Sequence, residues 1–132
     1  MNSRASSVPL VPVSVGEVYD KYSILMVKLS KIKNEEKLKH VKTEKEFLYK
    51  VLEEHYDPNE SLMKDMEEVN TKLWEIEDKL RVKESKKEFD DEFIELARSV
   101  YYTNDERSVV KGKINKKFGS KIEEVKDYVK YK

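Results

Sequence analysis

One face of a predicted helix in the middle of the chain carries side chains that are unusual for a surface exposed to solvent. Besides an apolar stripe, this helix repeats polar and aromatic residues at spacings of four, three and four: Asn70, Trp74, Glu77 and Arg81. A helix that touches only one core normally has a plain charged back face. A Trp among an amide, an acid and an Arg therefore predicts that this face also contacts something.

The next predicted helix continues its inward stripe with polar residues where the pattern asks for apolar ones: Asn104, Arg107 or Ser108, and Lys111. The polar and aromatic face of the preceding helix is expected to meet Arg98, Tyr101, Asn104 and Arg107 of this helix. Only four of the 27 basic residues are Arg, and Arg is preferred where a planar, bidentate donor must bind a carboxylate or a phosphate. A short link makes these two helices antiparallel neighbours, so we expect Glu77 to pair with Arg98 or Arg107. Residues of the first helix are expected to close one end of the arrangement: Glu17, Asp20 and Lys21.

This set of residues supports two interpretations. In the first, the groups form a buried hydrogen-bond network that holds the helices in register. In the second, they line a pocket in which Arg binds an anionic small molecule. The second interpretation includes an enzyme of the same fold class as the all-helical chorismate mutases, which act by electrostatic positioning. No catalytic residue is assigned in either case.

Composition argues against several other classes of function. The chain has no Cys, which excludes disulfides and thiolate chemistry and is typical of a reducing compartment such as the cytoplasm. Neither His40 nor His55 has a metal-ligand spacing, and Gly is too sparse for a phosphate-binding loop, so no metal and no cofactor is expected. Acidic and basic residues are equal in number, which does not favour specific nucleic-acid binding. No run approaches the roughly 18 to 20 apolar residues of a membrane span.

Composition and periodicity also predict the elements that position these residues. Charged residues make up 41% of the chain and there are only 3 Gly and 3 Pro, a composition typical of long, exposed helices. Apolar residues recur at helical spacing in four segments, which are separated near residues 34, 57–61 and 85–90. We therefore expect an all-α fold in which two helical hairpins pack as an antiparallel four-helix bundle.

The ends of the chain are expected to differ from the bundle. A capping box of Ser14 and Glu17 predicts the start of the first helix. Residues 1–12 carry Pro within an apolar stretch and are expected to form an extended arm, with a single helical domain over residues 13–132. Gly119 is expected to end the fourth helix, and a short C-terminal helix capped by Ser120 and Glu123 is expected through Val129. Whether the fourth helix restarts at Thr103 stays open.

Three blocks of sequence together resemble an uncharacterised domain family. They are VSVGEVYDKYSIL at 13–25, NTKLWEIED at 70–78, and FIELARSVY at 93–101 with TNDER at 103–107 and IN at 114–115. The resemblance covers about residues 11–131 and implies a small all-helical domain of unknown function from bacteria and marine phages. It implies no activity, ligand or catalytic residue.

The third predicted helix has both an apolar stripe and the polar and aromatic face of Asn70 to Arg81. Together with the apolar N-terminal arm, this favours a module that self-associates as a homodimer or binds a partner protein, rather than an enzyme. An anionic small molecule is the alternative ligand.

Overall fold

The computed structural model describes residues 8–131 and confirms the all-α prediction, with four helices and no strand in that part of the chain. The helices are α1 (Val15–Lys31), α2 (Glu35–His55), α3 (Ser61–Lys86) and α4 (Asp91–Lys117). Residues 1–7 of the predicted arm lie outside the described residues, and residues 8–13 are exposed and non-helical. Within residues 8–131, no helix is both long enough and apolar enough to cross a bilayer.

Helix α1 is the centre of the fold, because it packs against each of the other three helices. The α3 and α4 helices also pack against each other, whereas α2 packs against α1. Residue pairs give the directions: Asp20 meets Arg107, and Glu17 meets Lys111, so α1 and α4 are antiparallel. Because α1 packs against α2 and α3 packs against α4, both predicted hairpins are present, and α1 connects them by also packing against α3 and α4.

The predicted helix ends agree with the structure. Ser14 Oγ accepts a hydrogen bond of 3.1 Å from the Glu17 amide, as the capping box requires. Helix α4 is continuous through Thr103, which settles the point that the sequence left open. At its end, Gly119 adopts a left-handed backbone with φ of 60°, and the Ser120 amide donates to the Asn115 carbonyl at 2.8 Å. This is the Schellman arrangement, which a residue with a Cβ adopts less easily.

The predicted short C-terminal helix is wrong. Residues 120–131, called the C-terminal segment below, contain no helical residue and run back along α4. The hydroxyl expected to cap that helix is used elsewhere, because Ser120 Oγ accepts a 3.1 Å hydrogen bond from the Val15 amide at the start of α1. A helix of so few residues is marginal in water without an apolar face to bury, so these tertiary contacts prevail.

The main core lies at the end of the bundle where α1 and α3 begin and α2 and α4 finish. Its members are the buried apolar residues Val15, Val18, Tyr19, Tyr22, Leu52, Met63, Met66, Val110 and Ile114. Tyr19 is fully buried, stacks on Phe118, and donates its hydroxyl proton to the Asp57 carbonyl at 2.7 Å. A single side chain on α1 thus holds both the α2–α3 turn and the end of α4.

Beyond this core, half of the α3–α4 hairpin projects past the end of α1. The last turn of α1 reaches α3 at Glu75, to which Lys31 is paired at 3.2 Å. The eleven residues of α3 after Glu75 extend about 16 Å further at 1.5 Å per residue. No residue from 77 to 102 is buried. We call residues 77–102 the projecting hairpin.

The start of α1 lies unusually close to α4. The Gly16 amide donates to Asn115 Oδ1 at 2.6 Å, and a Cβ placed on Gly16 would lie 2.6 Å from the Lys111 carbonyl oxygen. That oxygen belongs to the backbone of α4, which cannot rotate away as a side chain would. The glycine therefore permits the approach of α1 to α4 that aligns the polar residues of both helices.

We predict that Gly16→Ala lowers the free energy of unfolding by about 1–3 kcal/mol, because α1 must shift away from α4. Gly112→Ala is the matched control, since a Cβ at that exposed helical position meets no atom within 4 Å. The control should raise stability by about 0.5–1 kcal/mol through helix propensity alone. Urea unfolding followed by circular dichroism measures both; equal effects of the two substitutions would contradict the close approach.

Candidate functional site

A carboxylate on α1 is completely buried in the polar part of the bundle. Asp20 is 0% exposed and accepts hydrogen bonds from two other helices. Asn70 on α3 donates to it at 2.9 Å. Arg107 on α4 approaches side-on, with Nε at 3.0 and 3.1 Å from the two carboxylate oxygens and Nη2 at 2.5 Å from Oδ2. This bidentate geometry is the strongest form of an Arg–carboxylate pair.

One helical turn further along α4, Lys111 extends the cluster. Its Nζ lies 2.9 Å from Glu17, 2.7 Å from Glu124 and 3.6 Å from Asp20. The Lys111 side chain is only 9% exposed, so it is screened little by solvent. Arg107 and Lys111 together thus face three carboxylates of their own chain. We call these five residues the charge cluster.

The contacts within the charge cluster determine the direction in which the pKa values of its members are shifted. Burial acts to lower the pKa of Lys111, but hydrogen bonds to Glu124 and Glu17 outweigh it and raise the pKa above its usual value. Burial likewise opposes the charge of Arg107, and the hydrogen bond to Asp20 leaves its pKa raised. The hydrogen bond from Lys111 lowers the pKa of Glu124. The cations therefore remain charged at neutral pH and need their carboxylate partners.

A hydroxyl and an amide complete the hydrogen bonding around Asp20. Asn70 donates to Ser23 Oγ at 2.7 Å as well as to Asp20, and Ser23 Oγ donates to the Asp20 carbonyl at 2.7 Å. Both residues are buried, and neither is charged. Because Asp20 joins α1, α3 and α4 through distinct partners, a shift of any one helix along its axis would break at least one of these bonds.

The structure brings together four of the residues proposed from the sequence: Glu17, Asp20, Asn70 and Arg107. Lys21 points to solvent and lies 3.8 Å from Glu17, as an ordinary pair one helical turn apart. Within residues 8–131, the other proposed residues form no hydrogen bond or ion pair with the charge cluster: Trp74, Glu77, Arg81, Arg98, Tyr101 and Asn104.

The expected pairing of Glu77 with Arg98 or Arg107 does not form, and the reason is the position of α1. Arg107 turns toward α1 because Asp20 enters between α3 and α4 at its level. Arg98 lies nine residues earlier, about 14 Å along α4, in the projecting hairpin. There it binds Glu95 at 2.8 Å and donates to Tyr102 at 2.9 Å, both on its own helix. Tyr101 packs against Tyr102 and Tyr131 instead of α3.

Neither Ser23 nor Glu124 was assigned to the site from the sequence, and Lys111 was identified only as a polar residue on the inward face of α4. Lys111 had a usable signal, because it follows Arg107 by four residues and lies on the same face of α4. Ser23 similarly lies one turn after Asp20. Glu124 had no such signal, since its approach to Lys111 depends on a C-terminal segment that is not helical. Among residues 8–131, no group of three or more His, Asp or Glu side chains is placed to hold a metal ion.

We predict that Arg107→Ala lowers the free energy of unfolding by about 3 kcal/mol or more, because it leaves the buried Asp20 carboxylate without its main partner. Arg107→Lys should lie between wild type and Arg107→Ala, since it keeps the charge but loses the bidentate geometry. Arg98→Ala is the matched control on an exposed pair and should change stability little. Chemical unfolding measures all three, and equal losses for the two Ala variants would contradict a structural role.

The comparisons with known proteins agree with the resemblance of the sequence blocks. Residues 10–131 match the model of a family described as "Family of unknown function (DUF6165)". A search of the curated proteins and a search of the solved structures each found no match. Because the family model covers nearly the whole chain, including every residue of the charge cluster, this chain belongs to the DUF6165 family of unknown function.

Proposed function

We propose that this chain is a non-enzymatic helical module that self-associates as a homodimer through its projecting hairpin. The observation that carries the proposal is that no residue of this hairpin is buried and that Val82, Phe89 and Ile94 are each more than half exposed. The absence of Cys supports a cytoplasmic location.

The apolar stripe of the projecting hairpin is not fully covered. Leu80, Phe93 and Leu96 have helical spacing typical of core positions, yet each remains partly exposed because only α3 and α4 are present at that level. Two helices alone cannot enclose a core, whereas two such hairpins together make four helices around one. A second copy of the same hairpin would therefore complete the packing that α1 supplies elsewhere in the bundle.

One groove of the projecting hairpin has the chemistry for this contact. It measures about 480 Å³ and contains Val82 and Leu96 between charged margins. The α3 margin carries Asp78 with Lys79 and Lys86, and neither of these lysines makes an ion pair within residues 8–131. The other margin is acidic, with Glu88 and Glu92; these two carboxylates and Asp90 all pair with Lys83 of α3.

This distribution of charge favours a second copy as the occupant. In a two-fold dimer the same patch meets itself, so the basic margin of one copy lies opposite the acidic margin of the other. Fully burying an exposed Val or Leu side chain is worth about 1.5–3 kcal/mol. Val82 is 52% exposed and Leu96 is only partly exposed, so each contributes less than this, and every contact occurs twice. Against an association cost of about 4–15 kcal/mol, this supports a reversible dimer rather than a permanent one.

The alternative function, binding of an anionic metabolite between the Arg residues of α3 and α4, has less support. Arg107 directs its donors to Asp20, and Arg98 directs its donors to Glu95 and Tyr102. An anionic ligand that approached these same donors would have to displace a carboxylate or a hydroxyl of the chain. The use of these donors within the chain supports the structural interpretation of the charge cluster and, with it, a non-enzymatic module.

We predict that the wild-type chain changes from monomer to dimer with rising concentration in sedimentation velocity. Val82→Glu should raise the dissociation constant about tenfold or more, since it places a charge in the apolar groove. Val109→Glu is the matched control, because both residues are exposed Val side chains within helices, at 52% and 57%. Val109→Glu should dimerise as the wild type does.

Two results would overturn the proposal. A wild-type chain that stays monomeric at every concentration would exclude self-association. A dimer that Val82→Glu and Val109→Glu affect equally would place the contact outside the groove. Circular dichroism of both variants verifies that neither substitution alters the fold.

A further inference from the structure

A partly open cavity of about 200 Å³ lies between α4 and the C-terminal segment, remote from the projecting hairpin. The α4 side is formed by Ser108, Lys111, Gly112 and Asn115, and the other side includes Glu124. Gly112 presents no side chain, which leaves room between Ser108 and Asn115 on this face of the helix. The cavity adjoins the charge cluster but is formed by residues that the buried Asp20 does not contact, apart from Lys111.

The α4 side of the cavity offers hydrogen-bond donors that the chain does not use. Ser108 Oγ is buried and has no hydrogen-bond partner within residues 8–131. Asn115 is 5% exposed and accepts from the Gly16 amide through Oδ1, while its Nδ2 donates to no group in the described chain. The third donor on this side, the Lys111 ammonium, is already paired with carboxylates of the chain. A buried hydroxyl without a partner is unfavourable, so a ligand oxygen that accepts from Ser108 would stabilise this surface.

Glu124 already provides one such acceptor group. Its carboxylate binds Lys111 at 2.7 Å, and it belongs to a segment whose Val125 and Val129 are almost fully exposed. Between its contacts at Ser120 and Tyr131 the segment is exposed throughout, so residues 121–130 gain little stability from burial and are readily displaced from α4. The chain therefore places a carboxylate of its own in the cavity on a weakly held segment.

The charges around the cavity determine which kind of ligand can replace the Glu124 carboxylate. Arg107 and Lys111 face the three carboxylates Asp20, Glu17 and Glu124, and the cavity lining adds Glu123 and Lys126, which pairs with Glu124 at 3.4 Å. Acids still outnumber bases by one, so a further anion would be repelled while Glu124 stays in place. Exchange of Glu124 for one ligand carboxylate leaves the net charge unchanged. A cation is not favoured, because the ammonium of Lys111 lies at the centre of the site.

We infer that this cavity binds a small-molecule carboxylate, which displaces Glu124 from Lys111 and accepts further hydrogen bonds from Asn115 and Ser108. The inference does not depend on the proposed dimer, because the cavity is built from one chain and shares no residue with the groove around Val82.

The test is a titration of the ¹⁵N-labelled full chain with acetate, at constant ionic strength maintained with chloride. We expect saturable shifts at the Gly112 amide and the Asn115 side-chain amide. Glu124→Ala removes the carboxylate that competes with acetate for Lys111. Acetate binding should then tighten about tenfold, because in the wild type the apparent affinity is reduced to the fraction of molecules in which Glu124 has left the site. Ser108→Ala in that background should weaken binding severalfold without lowering the unfolding temperature.

Glu106→Ala is the matched control, since it removes an exposed acid of α4 whose partner is Lys72, outside the cavity. It should bind acetate as weakly as the wild type. Equal affinity in Glu124→Ala and Glu106→Ala would overturn the inference, as would shifts that chloride alone reproduces. Circular dichroism of Glu124→Ala verifies that loss of the contact with Lys111 leaves the helices intact.

Discussion

A fully buried carboxylate is the constraint on which the arrangement of three helices depends. Asp20 is inaccessible to water, and an unpaired charge in that position would destabilise the fold by several kcal/mol. Its partners come from separate elements, Asn70 from α3 and Arg107 from α4. Helix α1 must therefore lie between the two helices at one level, which the Gly16 contact with α4 permits. The pair specifies register, while the apolar core around Tyr19 supplies most of the burial.

The same constraint divides the molecule into two parts with different properties. Where α1 is present, α3 and α4 have a third helix to pack against, and buried residues are frequent. Past the end of α1, the hairpin continues without a buried residue from 77 to 102. The polar and aromatic face that marks α3 in the sequence spans this boundary, with Asn70 inside the core and Arg81 outside it. The same polar and aromatic pattern of α3 therefore contributes to a buried network at Asn70 and to an exposed surface at Arg81.

Much of the fold was predictable from the sequence, because helical periodicity and capping residues are local signals. The cap at Ser14 and the pairing of the hairpins follow from spacing alone. The convergence of Asp20, Asn70 and Arg107 was also predictable, since polar residues at core positions must find partners. The separation of Arg98 from that cluster was not, because it depends on how far α3 and α4 extend past α1. The contact between Lys111 and Glu124 was missed because Ser120 bonds to α1 instead of capping a helix.

The most direct test of the account is a double-mutant cycle between Asp20→Ala and Arg107→Ala, measured by urea unfolding. If the buried pair holds the three helices together, the losses of unfolding free energy in the two single variants should add up to more than the loss in the double variant. We expect a coupling energy of about 2 kcal/mol or more, within the range for groups in one network. Additive losses, with a coupling energy near zero, would show that Asp20 and Arg107 act independently and would contradict the account.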